Sequence, residues 1–99
     1  MKLGQLIKSL RISHGISQKE LSEKLDMSTN YLCLIETSKR MPSADLIARI
    51  AKELKISKDA LDFLSTDVPT ELDKENSKKY MKLQENVAAL LLFQGRKIA

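Results

Sequence analysis

Two helix-start signals, Ser17 and Ser28, stand so close together that the chain between them has few ways to fold. Ser17 precedes Glu20 by three residues, so its hydroxyl can accept from the Glu20 amide while that carboxylate reaches back to the Ser17 amide. The helix that follows can run only to about Leu25, because Asp26-Met27-Ser28 supplies a turn-tolerant residue and then a fresh N-cap. Leu21 and Leu25 lie one turn apart on the first of these helices, and Leu32 and Ile35 share a face of the second. Two short helices joined by about three residues must cross steeply to bury those four side chains together. The second helix is then left protruding, with Thr29, Asn30, Cys33 and Leu34 on its outer face.

The rest of the chain supplies the helices that such a pair needs. Leu3, Leu6, Ile7 and Leu10 keep i, i+3, i+4, i+7 spacing, which predicts an amphipathic helix over about residues 2–14 ended by Gly15 as a left-handed C-cap. Ser43 opens a helix carrying Leu46, Ile47, Ile50, Ala51 and Leu54, and Ser57 opens a short one carrying Leu61, Phe63 and Leu64. There is no alternating strand pattern and no internal repeat. The predicted fold is all-α: a five-helix domain over residues 1–66, then a linker and C-terminal helix over residues 67–99.

Residues 65–70 read as the connecting segment, and the helix beyond is expected from about 70 to 94, stopped by Gly95. Tyr80, Leu83, Val87 and Leu90 are spaced 3-4-3, with Leu91 beside them, and this surface is too apolar for a lone solvated helix. It can form a short seam between two chains or fold back on its own domain. Burying about 600 to 800 Å² at about 25 cal/mol per Å² gives roughly 15 to 20 kcal/mol, against association costs of about 4 to 15. A homodimer through Tyr80, Leu83, Val87, Leu90 and Leu91 is the expectation.

Charge and composition narrow the function. The chain has 17 Lys and Arg against 13 Asp and Glu, a net charge of +4 over 99 residues, and most of the excess falls in residues 1–41. One cysteine cannot build an intramolecular disulfide, and the longest apolar run, Val87 to Phe93, is far short of the roughly 20 residues a membrane helix needs. A reduced, cytoplasmic setting is expected. One His and one Cys supply no metal cluster, no nucleophile has a base at a supporting spacing, and Gly4, Gly15 and Gly95 are too scattered to cradle a phosphate. Neither an enzyme nor a cofactor nor a metal is expected.

The succession Gln18, Glu20-Leu21, Leu25, Ser28 to Leu32, Ile35-Glu36, Lys39-Arg40 and Pro42-Ser43 resembles the phage-repressor (Cro/Xre-type) helix-turn-helix family over roughly residues 3–64. The resemblance implies a compact DNA-binding domain that acts as a dimer. It also implies a structural ion pair between Arg11 and Glu36, although the residues alone allow two solvated charges instead. Family members commonly have Gly at the position of Ser38, so Ser38 must take a left-handed conformation at some cost or the helix must end differently.

The same resemblance assigns DNA contacts. Gln18 at the start of the second helix would anchor a phosphate, and Ser28, Thr29, Asn30 and Tyr31 would open the helix that meets the bases. The Asn30 amide matches adenine N6 and N7, whereas Leu34 can touch a thymine methyl but could equally pack on protein. Tyr31 suits the sugar-phosphate backbone, with solvation as the plainer reading. Lys39 and Arg40 are expected phosphate clamps, with Lys19 and Lys8 weaker ones. Cys33 and His14 are expected to be incidental. The expected function is a sequence-specific double-stranded DNA-binding transcriptional regulator, a dimeric repressor. The alternative is an antitoxin-type or other interaction module whose C-terminal helix docks a protein partner.

Overall fold

Three connections between helices repeat one local code. Gly15-Ile16-Ser17, Asp26-Met27-Ser28 and Lys55-Ile56-Ser57 each place a residue with φ of 70, 55 and 57° respectively, then an apolar residue, then a serine. The amides of Ile16, Met27 and Ile56 return to the carbonyls of Arg11, Ser22 and Ala51 at 3.1, 2.9 and 3.0 Å. That closure satisfies carbonyls which the end of a helix would otherwise leave bare. The apolar residue turns inward, Ile56 becoming buried and Ile16 and Met27 packing on the core. The serine then caps the next helix.

The computed structural model describes residues 2–96, with side chains as far as Leu92. Six helices account for most of it: α1 Leu3–Ser13, α2 Gln18–Lys24, α3 Thr29–Glu36, α4 Ala44–Glu53, α5 Lys58–Ser65 and α6 Lys74–Arg96. Among the described residues there is no strand. Ser17, Ser28, Ser43 and Ser57 accept from the amides of Glu20, Tyr31, Leu46 and Ala60 at 3.0, 3.0, 3.2 and 3.0 Å. The Ser17 amide in turn donates to Glu20 Oε1 at 3.3 Å, completing a capping box. Each such cap stabilises its helix by about 1 kcal/mol.

All six helices contribute to one core. Leu6, Ile7 and Leu10 of α1 meet Leu21, Leu25, Leu32 and Ile35 of the crossed pair, and Leu46, Ile50, Ala51, Leu54, Leu61 and Leu64 close it from the other side. Shape matters as well as burial. A Cβ added at Gly4 would stand 2.2 Å from the Ile35 carbonyl oxygen and 2.9 Å from that of Glu36. Hydrogen at this position lets α1 lie directly against the end of α3.

The C-terminal helix departs from the sequence expectation in three respects. It starts at Lys74 rather than near 70, because Asp73 accepts from the Asn76 amide at 2.8 Å while Pro69 sits in a turn before it. It also runs through Gly95, whose cost of about 1 kcal/mol in a helix is too small to stop it. Finally, α6 folds back on α1 and α5 of its own chain. The Tyr80 ring meets Phe63 with centroids 5.4 Å apart, Gln84 Nε2 donates to the carbonyls of Phe63 and Thr66 at 2.8 and 2.9 Å, and Ala88 enters the core.

Tyr80, Val87 and Leu91, expected at a seam between chains, therefore face their own domain. Leu83 and Leu90 remain outside at 52% and 65% exposure. A short tether makes the intramolecular contact cheap, since closing a small loop costs less entropy than bringing two molecules together.

Replacing Gly4 by Ala is expected to destabilise the protein by about 1 to 3 kcal/mol, because neighbouring backbone rather than a flexible side chain must give way. Urea unfolding of G4A beside wild type checks this; an unchanged midpoint would contradict the close approach.

Candidate nucleic-acid interface

What fixes α3 in place is a buried charge network at its C-terminal end. The Glu36 carboxylate accepts from Arg11 Nε at 2.7 Å, from Arg11 Nη2 at 3.2 Å and from Gln18 Nε2 at 2.9 Å. Arg11 Nη1 donates onward to the Ile16 carbonyl at 2.8 Å. The two charged side chains are 10% and 1% exposed, so this is a desolvated pair and not two solvated surface charges. Three helices are thereby tied at one point: α1 through Arg11, α2 through Gln18 and α3 through Glu36. A second tie comes from Arg49 of α4, whose Nη2 donates to the Leu25 carbonyl at 2.6 Å, closing the end of α2.

With Leu32 and Ile35 anchored in the core, the opposite side of α3 is presented outward. Ser28, Thr29 and Asn30 are exposed, whereas Tyr31, Cys33 and Leu34 are half-buried. Ser28 Oγ accepts from the Tyr31 amide, which leaves its hydroxyl hydrogen free to donate outward. The amide group of Asn30 has no hydrogen-bond partner among the described residues. Tyr31 is less free than its sequence position suggests, because its ring packs on the core.

Past α3, Ser38 does adopt the left-handed conformation, at φ 64°. The amides of Lys39 and Arg40 both donate to the Leu34 carbonyl, at 2.9 and 3.1 Å. This winds the loop tightly around the C-terminal end of α3, where Lys39 and Arg40 are exposed. Gln18 is only partly available: one amide hydrogen is held by Glu36, and the other, with the carbonyl oxygen, remains.

Sequence reasoning missed Gly4, Ser22 and Arg49. None carries a local signal, since each acts on a neighbour brought close only by the packing of different helices. Among the described residues no cluster of three or more His, Cys, Asp and Glu side chains could hold a metal ion, and no helix is long and apolar enough to cross a membrane.

Comparison with known proteins places this geometry. A family profile described as helix-turn-helix matches residues 7–61. The chain is 38% identical over 58 residues to an uncharacterized HTH-type transcriptional regulator of Mycobacterium tuberculosis, an alignment covering 59% of this chain and 41% of that protein. It is 33% identical over 79 residues to the immunity repressor protein of Bacillus phage phi105, covering 80% of this chain and 55% of the other. To the HTH-type transcriptional regulator ImmR of Bacillus subtilis it is 34% identical over 61 residues, covering 62% and 48%. The chain thus spans about half the length of the curated relatives it matches. In fold it is similar to the clp gene regulator ClgR from Corynebacterium glutamicum, with a TM-score of 0.61 at 23% identity over 96% of this chain and 92% of that one.

Truncating Glu36 to Ala should cost about 3 to 5 kcal/mol, since it strands a buried guanidinium. Replacing both partners, R11M with E36L, should recover a large part of that loss. Thermal unfolding of the two variants checks the pair; equal losses would mean that desolvation of Arg11 is not the cause.

Proposed function

This chain belongs to the helix-turn-helix family of the Cro/Xre type, and we propose that it is a sequence-specific double-stranded DNA-binding regulator of transcription, acting in the cytoplasm as a dimeric repressor. The observation that carries the proposal is the presentation of α3. Its inner side is fixed by the Glu36 network, its N-terminal residues stand exposed, and the exposed cationic loop of Lys39 and Arg40 winds around its C-terminal end. A helix held this way can enter a major groove while the loop meets the flanking phosphates.

The proposed roles divide by chemistry. Asn30, with both a donor and an acceptor free, pairs with adenine N6 and N7, and Thr29 reads the adjacent position. Leu34 offers only a methyl contact. Ser28 and Gln18 give hydrogen bonds to phosphate, Tyr31 contributes its hydroxyl near the backbone, and Lys39 and Arg40 neutralise phosphates. Association of two chains would set two α3 helices about 34 Å apart, matching half-sites of a pseudo-palindrome one helical turn apart.

The dimer seam we propose is narrower than sequence periodicity indicates. Leu83 and Leu90, one heptad apart and both exposed, form its apolar line, with Lys79 and Asn86 on its flank. Tyr80, Val87 and Leu91 support this line from behind by holding α6 on the domain.

Two measurements test these roles. In selections from random duplexes, N30A should relax preference at one position per half-site, whereas R40A should weaken all sequences alike and reduce the salt slope by about 1. If the two variants behave identically, the division of roles is wrong. Sedimentation of wild type beside the double variant Leu83→Glu, Leu90→Glu should show a dimer converted to monomer, and a monomeric wild type removes the seam.

A further inference from the structure

Ser22 lies on α2, buried at 1% exposure, directly beside the first residue of α3. Its Oγ is 2.9 Å from the Lys19 carbonyl oxygen and 3.1 Å from Thr29 Oγ1. A serine hydroxyl has one hydrogen, and a carbonyl oxygen can only accept. With the Ser22 hydrogen given to Lys19, the second contact is a hydrogen bond only if Thr29 donates. Thr29 also has one hydrogen. The oxygen of this exposed residue then offers lone pairs alone to whatever stands outside.

We propose that Ser22 is a positioning residue that fixes Thr29 as a hydrogen-bond acceptor, so that the base facing Thr29 is selected for an exocyclic amino group. In the major groove adenine N6 and cytosine N4 donate, whereas guanine O6 and N7 and thymine O4 accept. A hydroxyl free to rotate would satisfy either kind of base, which is why an unconstrained threonine discriminates poorly. Here, donating outward to guanine or thymine means giving up the bond to Ser22. The neighbouring Asn30 is not polarised in this way, because its amide both donates and accepts without a partner in the chain among the described residues. Two adjacent residues of α3 thus follow different rules. This inference rests on the reading of α3 as the helix that enters the groove.

The test is selection from a random duplex pool with the full chain as wild type, Thr29→Ser, Thr29→Val and Ser22→Ala, each also followed by thermal unfolding. Wild type and T29S should favour adenine or cytosine over guanine and thymine at one position per half-site, by roughly threefold to tenfold, the scale of one hydrogen bond. T29V identifies that position by losing the preference. S22A should admit all four bases there while every other position keeps its preference and overall affinity holds, an effect that a merely structural role for Ser22 would not produce. If S22A still favours adenine and cytosine there, if the position favours guanine or thymine in wild type, or if T29V alters no position, the inference is overturned while the groove-reading role of α3 stands. Should S22A fail to fold, a guanine or thymine preference in wild type, or a T29V that alters no position, still overturns the inference. A wild type that enriches no sequence overturns both.

Discussion

The carboxylate of Glu36 is where the geometry of this protein is decided. Three donors from two other helices converge on it, and its burial makes the arrangement all-or-none: a charge withdrawn from water is tolerated only while its partners stay in place. Hydrophobic contacts through Leu32 and Ile35 hold α3 in the core but are non-directional, and would permit some rotation about its axis. The directed bonds from Arg11 and Gln18 remove that freedom. Gly4 adds a steric limit at the same end by letting the backbones of α1 and α3 approach until they touch. For the groove-reading role proposed for α3, both kinds of restraint keep its outer residues in one orientation.

This arrangement divides a single eight-residue helix between the interior and the recognition role proposed for it. Leu32, Ile35 and Glu36 serve the interior, while Thr29, Asn30 and Leu34 turn outward. The boundary is not absolute. Gln18 and Ser22 use part of their hydrogen-bonding capacity to organise the interior or a neighbour, and what they leave free, or oblige a neighbour to leave free, shapes the outer surface. Ser22, at 1% exposure, sits behind the outer surface and still sets which bond the Thr29 hydroxyl makes inward.

The tail shows an amphipathic pattern wider than the contact that its own domain covers. Tyr80, Gln84, Ala88 and Leu91 attach α6 to α5 and α1, and Leu83 and Leu90 are left over on an adjacent flank. An apolar stripe wider than one neighbour can cover is what results when a helix packs on its own domain and still has a face to offer.

The sequence by itself determined the starts of α2 to α5 and the crossed pair. Ser17, Ser28, Ser43 and Ser57 act on amides only three residues away, so their consequence is local and legible, and the left-handed turn at Gly15 follows from the residue type. Lys55 takes the same conformation with no such signal, because the turn around it is imposed by Ile56 entering the core. The resemblance to a known family pointed to Arg11 and Glu36, yet only packing could show that the pair is desolvated and shared with Gln18. Only the tertiary structure, likewise, could reveal the need for Gly4, the bond from Thr29 to Ser22 and the side on which α6 lies. Each depends on the distance between atoms far apart in the chain, and periodicity reports which face of a helix is apolar without reporting what will cover it.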